Sequence, residues 1–344
     1  MPLAITLVSQ EANVRVVELV TETIGALQPS AERMALEAGL ADMCIEVRLT
    51  DRIVAEVQAA RAEHLPTFAT KRMGGDAVAR ASRPKSIDEP HRILVNAGVF
   101  ESSDNWLLAH LPQVLAHEVA HCLVTQSRIE SGLPSGYVEL PVNPVQMLGY
   151  TALTAIDEYV ADRIGNLLLP PVSATILGDD GDLSATDRLI VGINRLTATQ
   201  DALDESVHPY LPDLVRAYRA TAQGFDELVD ALSQAIYEGL TMSAHYRAAI
   251  VELPRVDVLD QEIAKVAAHP GTRLYFDPFW DEVAPLLDPR FEGSPLVGAA
   301  ALDQRAFDAG TRGLVRTWAA MGISFEELDD DDVFVHVSDP LECD

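Results

Sequence analysis

Apolar positions along the chain fall into two rhythms, and each rhythm predicts an element. Val17, Val20, Ile24 and Leu27 recur three or four residues apart, the spacing of one helix face, and a second helix is expected over residues 30–43. Ile45, Val47 and Leu49 then alternate with polar neighbours as in a half-buried strand, and Asp51 stands where it can cap a helix carrying Ile53, Val54 and Val57. Over residues 66–92 the rhythm stops: Pro66, Pro84 and the Gly74–Gly75 pair argue for a loop or ragged hairpin. Ile93, Leu94 and Val95 make a short buried strand, and Ser102, Ser103 or Asp104 can cap the helical segment that follows. Pro112 suits the first turn of a helix running to about Gln126.

Two glycines and three prolines from Ser131 through Pro144 predict a surface loop, and Pro144 opens another helix. Leu148, Leu153, Ile156, Val160, Ile164 and Leu167 keep helical spacing until Pro170 and Pro171, where the helix is expected to stop. Helical patterns recur at 185–204, 211–222, 225–240, 257–268 and 299–321, and Val333, Val335 and Val337 alternate as a final edge strand would. The expected fold is therefore α+β and predominantly helical, with a core over residues 1–172 and a mainly helical region with an acidic tail over 173–344.

Composition narrows the function classes. The chain has 344 residues, 48% of them hydrophobic, enough for a sizeable core, yet no run approaches the length of a membrane span. Its N-terminus lacks a basic head, an apolar run and a small-residue cleavage site, so a cytoplasmic protein with no membrane partner is expected. A formal net charge of -28 repels phosphate backbones, which argues against nucleic acid as a partner. The three cysteines, Cys44, Cys122 and Cys343, are widely spaced and fit a reducing compartment. Six cations, Lys71, Arg72, Arg80, Arg83, Lys85 and Arg92, gather in one loop of this acidic chain; a solvated segment pairing with the protein's own acids explains them better than a substrate carboxylate does. Asp329 to Asp332, and Asp179, Asp180 and Asp182, lack the spacing of a calcium loop and read as solvated turns.

The chemistry concentrates at His117-Glu118-Val119-Ala120-His121, a His-Glu-x-x-His run on a helix-favouring segment. One residue advances a helix by about 100°, so positions i and i+4 lie about 40° apart and two imidazoles there can hold one ion. Glu118 points to a neighbouring side of the same turn, where its carboxylate can reach a water beside the ion rather than the ion itself. A chain with 9 histidines contains this pattern by chance on the order of two per cent of the time, so an amphipathic helix with two incidental histidines is the competing account. A catalytic zinc needs a third protein ligand and an open position. Glu158, on the next strongly helical segment, is the expected ligand, with Asp157 or Asp162 as the alternatives. With Glu158 on the ion, Asp162 can accept a hydrogen bond from the far nitrogen of a ligand histidine and fix its tautomer.

His117-Glu118-x-x-His121 followed by Glu158-x-x-x-Asp162 resembles the pattern of the gluzincin metallopeptidases. Within that clan, residues 92–170 resemble the ImmA/IrrE-type peptidases and also the CAAX-prenyl-protease and heat-shock-protease family, whose membrane helices have no counterpart here. The resemblance implies a zincin-like core with a short sheet against the motif helix and a Zn2+ held by His117, His121 and Glu158. It also implies Glu118 as general base, Asp162 as orienting residue and a peptide or protein substrate. Gluzincins often aim a His, Tyr or Arg at the developing oxyanion; among Tyr237, His245, Tyr246 and His269, the His269-Pro270 pair is the nearest match to a family element, against a loop-capping histidine. Tyr159 reads as a core aromatic. From another class comes the alternative of a catalytically weak regulatory or interaction protein that keeps the metallopeptidase fold, against which the retention of Glu118 argues.

Overall fold

A computed structural model describes residues 3–10, 14–40, 42–60, 71–72, 75–76, 78–82, 84, 89–101, 105–132, 144–176, 190, 192–194, 196–201, 211–221, 225–252, 260–291, 296, 304–327 and 333–338. The loop expected between Ser131 and Pro144, the two aspartate clusters, His208, Cys343, the caps at Ser102 to Asp104, and Arg83 and Lys85 of the basic cluster fall wholly or mainly outside these. The chain divides into two compact units, one of residues 1–138, 160–184 and 290–301, the other of residues 139–159, 185–289 and 302–344.

The first unit carries strand β1 (Leu3–Gln10), helix α1 (Val14–Glu37), β2 (Met43–Thr50), α2 (Ile53–Ala60), β3 (Lys71–Arg72), β4 (Gly75–Asp76), β5 (Ala79–Ser82), β6 (His91–Asn96), α3 (Ala97–Glu101) and α4 (Asn105–Glu130). Its sheet has the order β1-β2-β6-β5, with β1, β2 and β6 parallel and β5 antiparallel at one edge. Met43, Ile45, Val47 and Leu49 are buried while Cys44, Glu46 and Arg48 are half-buried, the alternation of a strand with one face on the core. Ile53, Val57 and Leu94 form one apolar cluster beside α2, and Val54 points outward. α4 packs against β5, β6 and β2, so the motif helix lies on the sheet.

Three elements of the first unit differ from expectation, and burial explains each. β1 had no counterpart in the expected order, although Leu3 and Ile5 alternate with Ala4 and Thr6; parallel pairing to β2 gives that alternation a buried face. The two expected N-terminal helices are one, α1, running through Pro29. The stripe Val16, Val20, Ile24, Leu27, Ala31 and Ala35 continues in register across the proline, which sits on the exposed face, and burial of that stripe outweighs the roughly 3 kcal/mol an interior proline costs. Pro112 likewise lies inside α4 rather than in its first turn, with Leu108, Leu111 and Leu115 buried around it.

Helix α5 (Pro144–Ile176) passes from the second unit into the first between Tyr159 and Val160, and it continues through Pro170 and Pro171, where it was expected to end. Residues 155–161 are all buried, so the helix is enclosed on every side there rather than on one face. The second unit adds α6 (Leu211–Thr221), α7 (Phe225–Glu252), α8 (Asp260–Ala268), a π-helical turn at Thr272–Phe276, α9 (Asp277–Leu287), α10 (Gln304–Ala320) and the antiparallel pair β7 (Ile323–Glu327) and β8 (Val333–Val337). The expected tail strand is thus β8. α9 was not expected: its Phe279, Trp280, Val283, Ala284 and Leu287 keep helical spacing, but Pro278, Pro285 and Pro289 read as breakers. The molecule is α+β and predominantly helical, and its described residues form a four-stranded mixed sheet and two two-stranded ones, β3 with β4 and β7 with β8. No helix among the described residues is long and apolar enough to cross a membrane.

Candidate metal centre

The motif helix is fixed before the site is built on it. Leu111, Leu115, Ala116, Val119, Ala120 and Leu123 of α4 are buried, leaving His117 and His121 half-buried on one side. One turn further on, Gln126 Oε1 meets Nε2 of buried His91 on β6 at 3.0 Å, and Gln126 Nε2 donates to Glu130 Oε1 at 2.7 Å. Burial lowers the His91 pKa, with the Gln126 hydrogen bond opposing it, so a neutral imidazole ties the helix to the sheet. Cys122 is buried, and desolvation, reinforced by the Glu118 charge, pushes its thiol well up; it packs as a small apolar side chain.

α5 approaches α4 at a glycine. A Cβ on Gly165 would lie 3.1 Å from the His117 backbone nitrogen, 3.2 Å from its Cα and 3.3 Å from the Ala116 carbonyl carbon. Three residues earlier, Asp162 Oδ1 stands 2.6 Å from His117 Nδ1. With that nitrogen donating to the carboxylate, Nε2 of His117 presents its lone pair, and it faces Nε2 of His121 at 3.0 Å with the two rings edge to face. Glu158 and Asp162 are one turn apart on α5. One ligand atom each from His117, His121 and Glu158 lies within 4.8 Å of the others.

The donor set fits a cation of zinc's character. Nitrogens about 2.0–2.1 Å from a tetrahedral ion stand about 3.3 Å apart, close to the separation of the two Nε2 atoms, and imidazole with carboxylate suits a borderline divalent metal. The competing account of two incidental histidines on a solvated face meets its difficulty here, since Glu158 is buried and aimed at the same place. Of the alternatives for third ligand, Asp162 contacts Nδ1 of His117 and belongs with His117 and His245 to a second group of ligand atoms within 4.8 Å of one another, and Asp157 is buried one residue before Glu158.

Glu118 is buried, and its Oε2 accepts a hydrogen bond from the main-chain N–H of Ala81 on the edge strand β5. Nothing in the sequence announces this contact, because every non-proline residue offers the same donor. Gly165 had a signal: a glycine inside a helical pattern often marks a close approach. In the second unit, Tyr159, the residue after Glu158, is fully buried; its hydroxyl donates to Asp288 Oδ1 at 2.5 Å, its ring lies 5.4 Å from that of Trp280, and Arg247 pairs with Asp288 at 3.5 Å. Those contacts fix the rotation of α5 about its axis within that unit. His269 stands between α8 and the π-helical turn, and its Nδ1 accepts the Gly271 N–H at 3.1 Å, a local turn contact. His110 is buried in α4, and His336 meets Glu326 at 2.8 Å across β7 and β8. Of the basic cluster, Arg92 pairs with Glu46 at 3.4 Å, as a solvated segment would.

No protein-family model, curated protein sequence or solved structure matches the chain.

Proposed function

We propose that the protein is a zinc-dependent peptidase with a zincin-like core of the gluzincin type, in which His117, His121 and Glu158 hold the ion and Glu118 is the general base. The observation that carries this reading is the convergence of His117 Nε2, His121 Nε2 and the Glu158 carboxylate, with Asp162 on the far nitrogen of His117. A purely structural site has no use for Glu118, which ligates nothing and sits beside the first histidine. Zinc held there would supply a Lewis acid that polarises the scissile carbonyl and acidifies water.

The remaining chemistry belongs to the chain. Asp162 keeps His117 in the tautomer that leaves Nε2 bare. Glu118 has Oε2 engaged by Ala81, and Oε1 is the oxygen assigned to take a proton from the attacking water and return it to the leaving amine. His269, with Nδ1 accepting from Gly271, carries its proton on Nε2 and is the proposed donor to the developing oxyanion. The substrate is a peptide or protein, with neutral or basic segments favoured by the net charge of -28.

The test begins with elemental analysis of the purified protein after dialysis against metal-free buffer. About one zinc per chain, lost in a folded Glu158→Ala variant, is expected. Glu118→Gln should keep that zinc and lose about 10²- to 10⁴-fold in peptide hydrolysis. A native protein that neither holds nor takes up zinc sinks the reading. Zinc retained without hydrolysis of any peptide mixture would instead favour a metal-holding regulatory or interaction protein.

A further inference from the structure

The edge strand offers more than a wall for the site. β5 pairs with β6 in the register Ala79 with Val95, Arg80 with Leu94, Ala81 with Ile93 and Ser82 with Arg92. Asn96 N donates to Val78 O at 2.8 Å, so 78 with 96, 80 with 94 and 82 with 92 are the pairs that exchange main-chain hydrogen bonds. Residues 79 and 81 occupy the pairs between, and their N–H and C=O groups point away from β6, along the outer edge of the sheet. The Ala81 N–H therefore owes nothing to the ladder. Glu118, from α4, takes it.

We propose that the main-chain amide of Ala81 is a positioning group for Glu118: it clamps Oε2 so that Oε1 is held toward the place where His117 and His121 converge. A donor to a buried carboxylate is a charge-assisted bond, shorter and more directional than a neutral one, and it removes the torsional freedom that a glutamate otherwise keeps. A base misplaced by a fraction of an ångström to an ångström loses rate without losing substrate or metal, because neither is bound through it. The catalytic consequence rests on the peptidase reading; the clamp itself does not.

The register supplies both the variant and its control. Proline lacks the N–H and is tolerated on an edge strand where that N–H faces outward, so Ala81→Pro deletes the clamp while sparing every β5–β6 hydrogen bond. Ala79→Pro makes the same change two residues away, at the other outward-facing position. Ala81→Pro is expected to keep one zinc per chain and to lower kcat on the order of ten- to a hundred-fold with KM within about two-fold, whereas Ala79→Pro stays within about two-fold of the parent. Native kcat in Ala81→Pro, or an equal loss in Ala79→Pro, overturns the proposal. A second measurement needs neither metal nor activity: amide hydrogen exchange in the full chain. The Ala81 amide should exchange at least about a hundred-fold more slowly than the Ala79 amide, and Glu118→Ala should erase that difference. Equal exchange of the two amides in the parent protein overturns the clamp even if Ala81→Pro does not fold. Slow exchange at Ala81 in a protein that hydrolyses nothing upholds the clamp and fails the peptidase reading alone.

Discussion

His117 has two ring nitrogens, and Asp162 settles what each of them does. The 2.6 Å contact at Nδ1 turns Nε2 toward His121, and a carboxylate on the far nitrogen strengthens the hold of an imidazole on an ion. Asp162→Asn keeps an acceptor of nearly the same shape but removes the charge. Its zinc affinity, measured by competition with a chromophoric chelator, should fall about ten- to a hundred-fold with the fold intact. Unchanged affinity would mean that Asp162 is a structural partner only. At this scale the His117–His121 pair was legible in the sequence, because residue type and helical spacing define it, whereas Glu158 and Asp162, about forty residues on, could be named as candidates but not brought to the pair. The amide of Ala81 was not legible: a backbone donor has no signature until a strand register turns it outward.

Helices were the most legible elements and also the most misjudged at their ends. Pro29, Pro112, Pro170 and Pro171 each lie within a helix that the sequence pattern alone would break. A proline costs a fixed local amount, whereas an apolar stripe that continues past it gains with every buried side chain, and that gain depends on partners elsewhere in the chain. The same reasoning applies to the approach of α5 to α4. Gly165→Ala improves helix propensity by about 1 kcal/mol, but its methyl group meets main-chain atoms of His117 and Ala116, which sit in a buried helix and yield poorly. Overpacking of about 1–3 kcal/mol sets the net change between roughly nothing and a loss of about 2 kcal/mol. Metal affinity is the sharper readout, since ligand distances tolerate only about 0.2 Å. Thermal unfolding of Gly165→Ala should shift by a few degrees at most while zinc affinity drops at least about ten-fold; parental affinity would show that the helices can part without disturbing the ligands.

For the whole molecule the dominant quantity is a formal net charge of -28, with 25 basic against 53 acidic residues. Such a surplus repels itself in the compact state, and salt shortens its reach from about 30 Å at 0.01 M to about 10 Å at 0.1 M. Calorimetry at those two concentrations of sodium chloride should give the higher Tm at 0.1 M; a constant or falling Tm would show that close pairs such as Arg316 with Glu282 at 2.7 Å already neutralise the field. The sequence by itself determined the helical predominance, the alternating strand β2, the short buried strand β6, and the pairing of His117 with His121. Each of these is encoded in contiguous residues, because the pitch of a helix and the pleat of a strand act over one or two turns. Tertiary structure decided the rest: that β1 joins the sheet, that prolines are carried through helices, that Glu158 reaches the histidines by way of α5, and that β5 turns an amide toward Glu118. Those outcomes depend on burial between segments far apart in the chain, and no local rhythm of side chains records which distant surface will cover them.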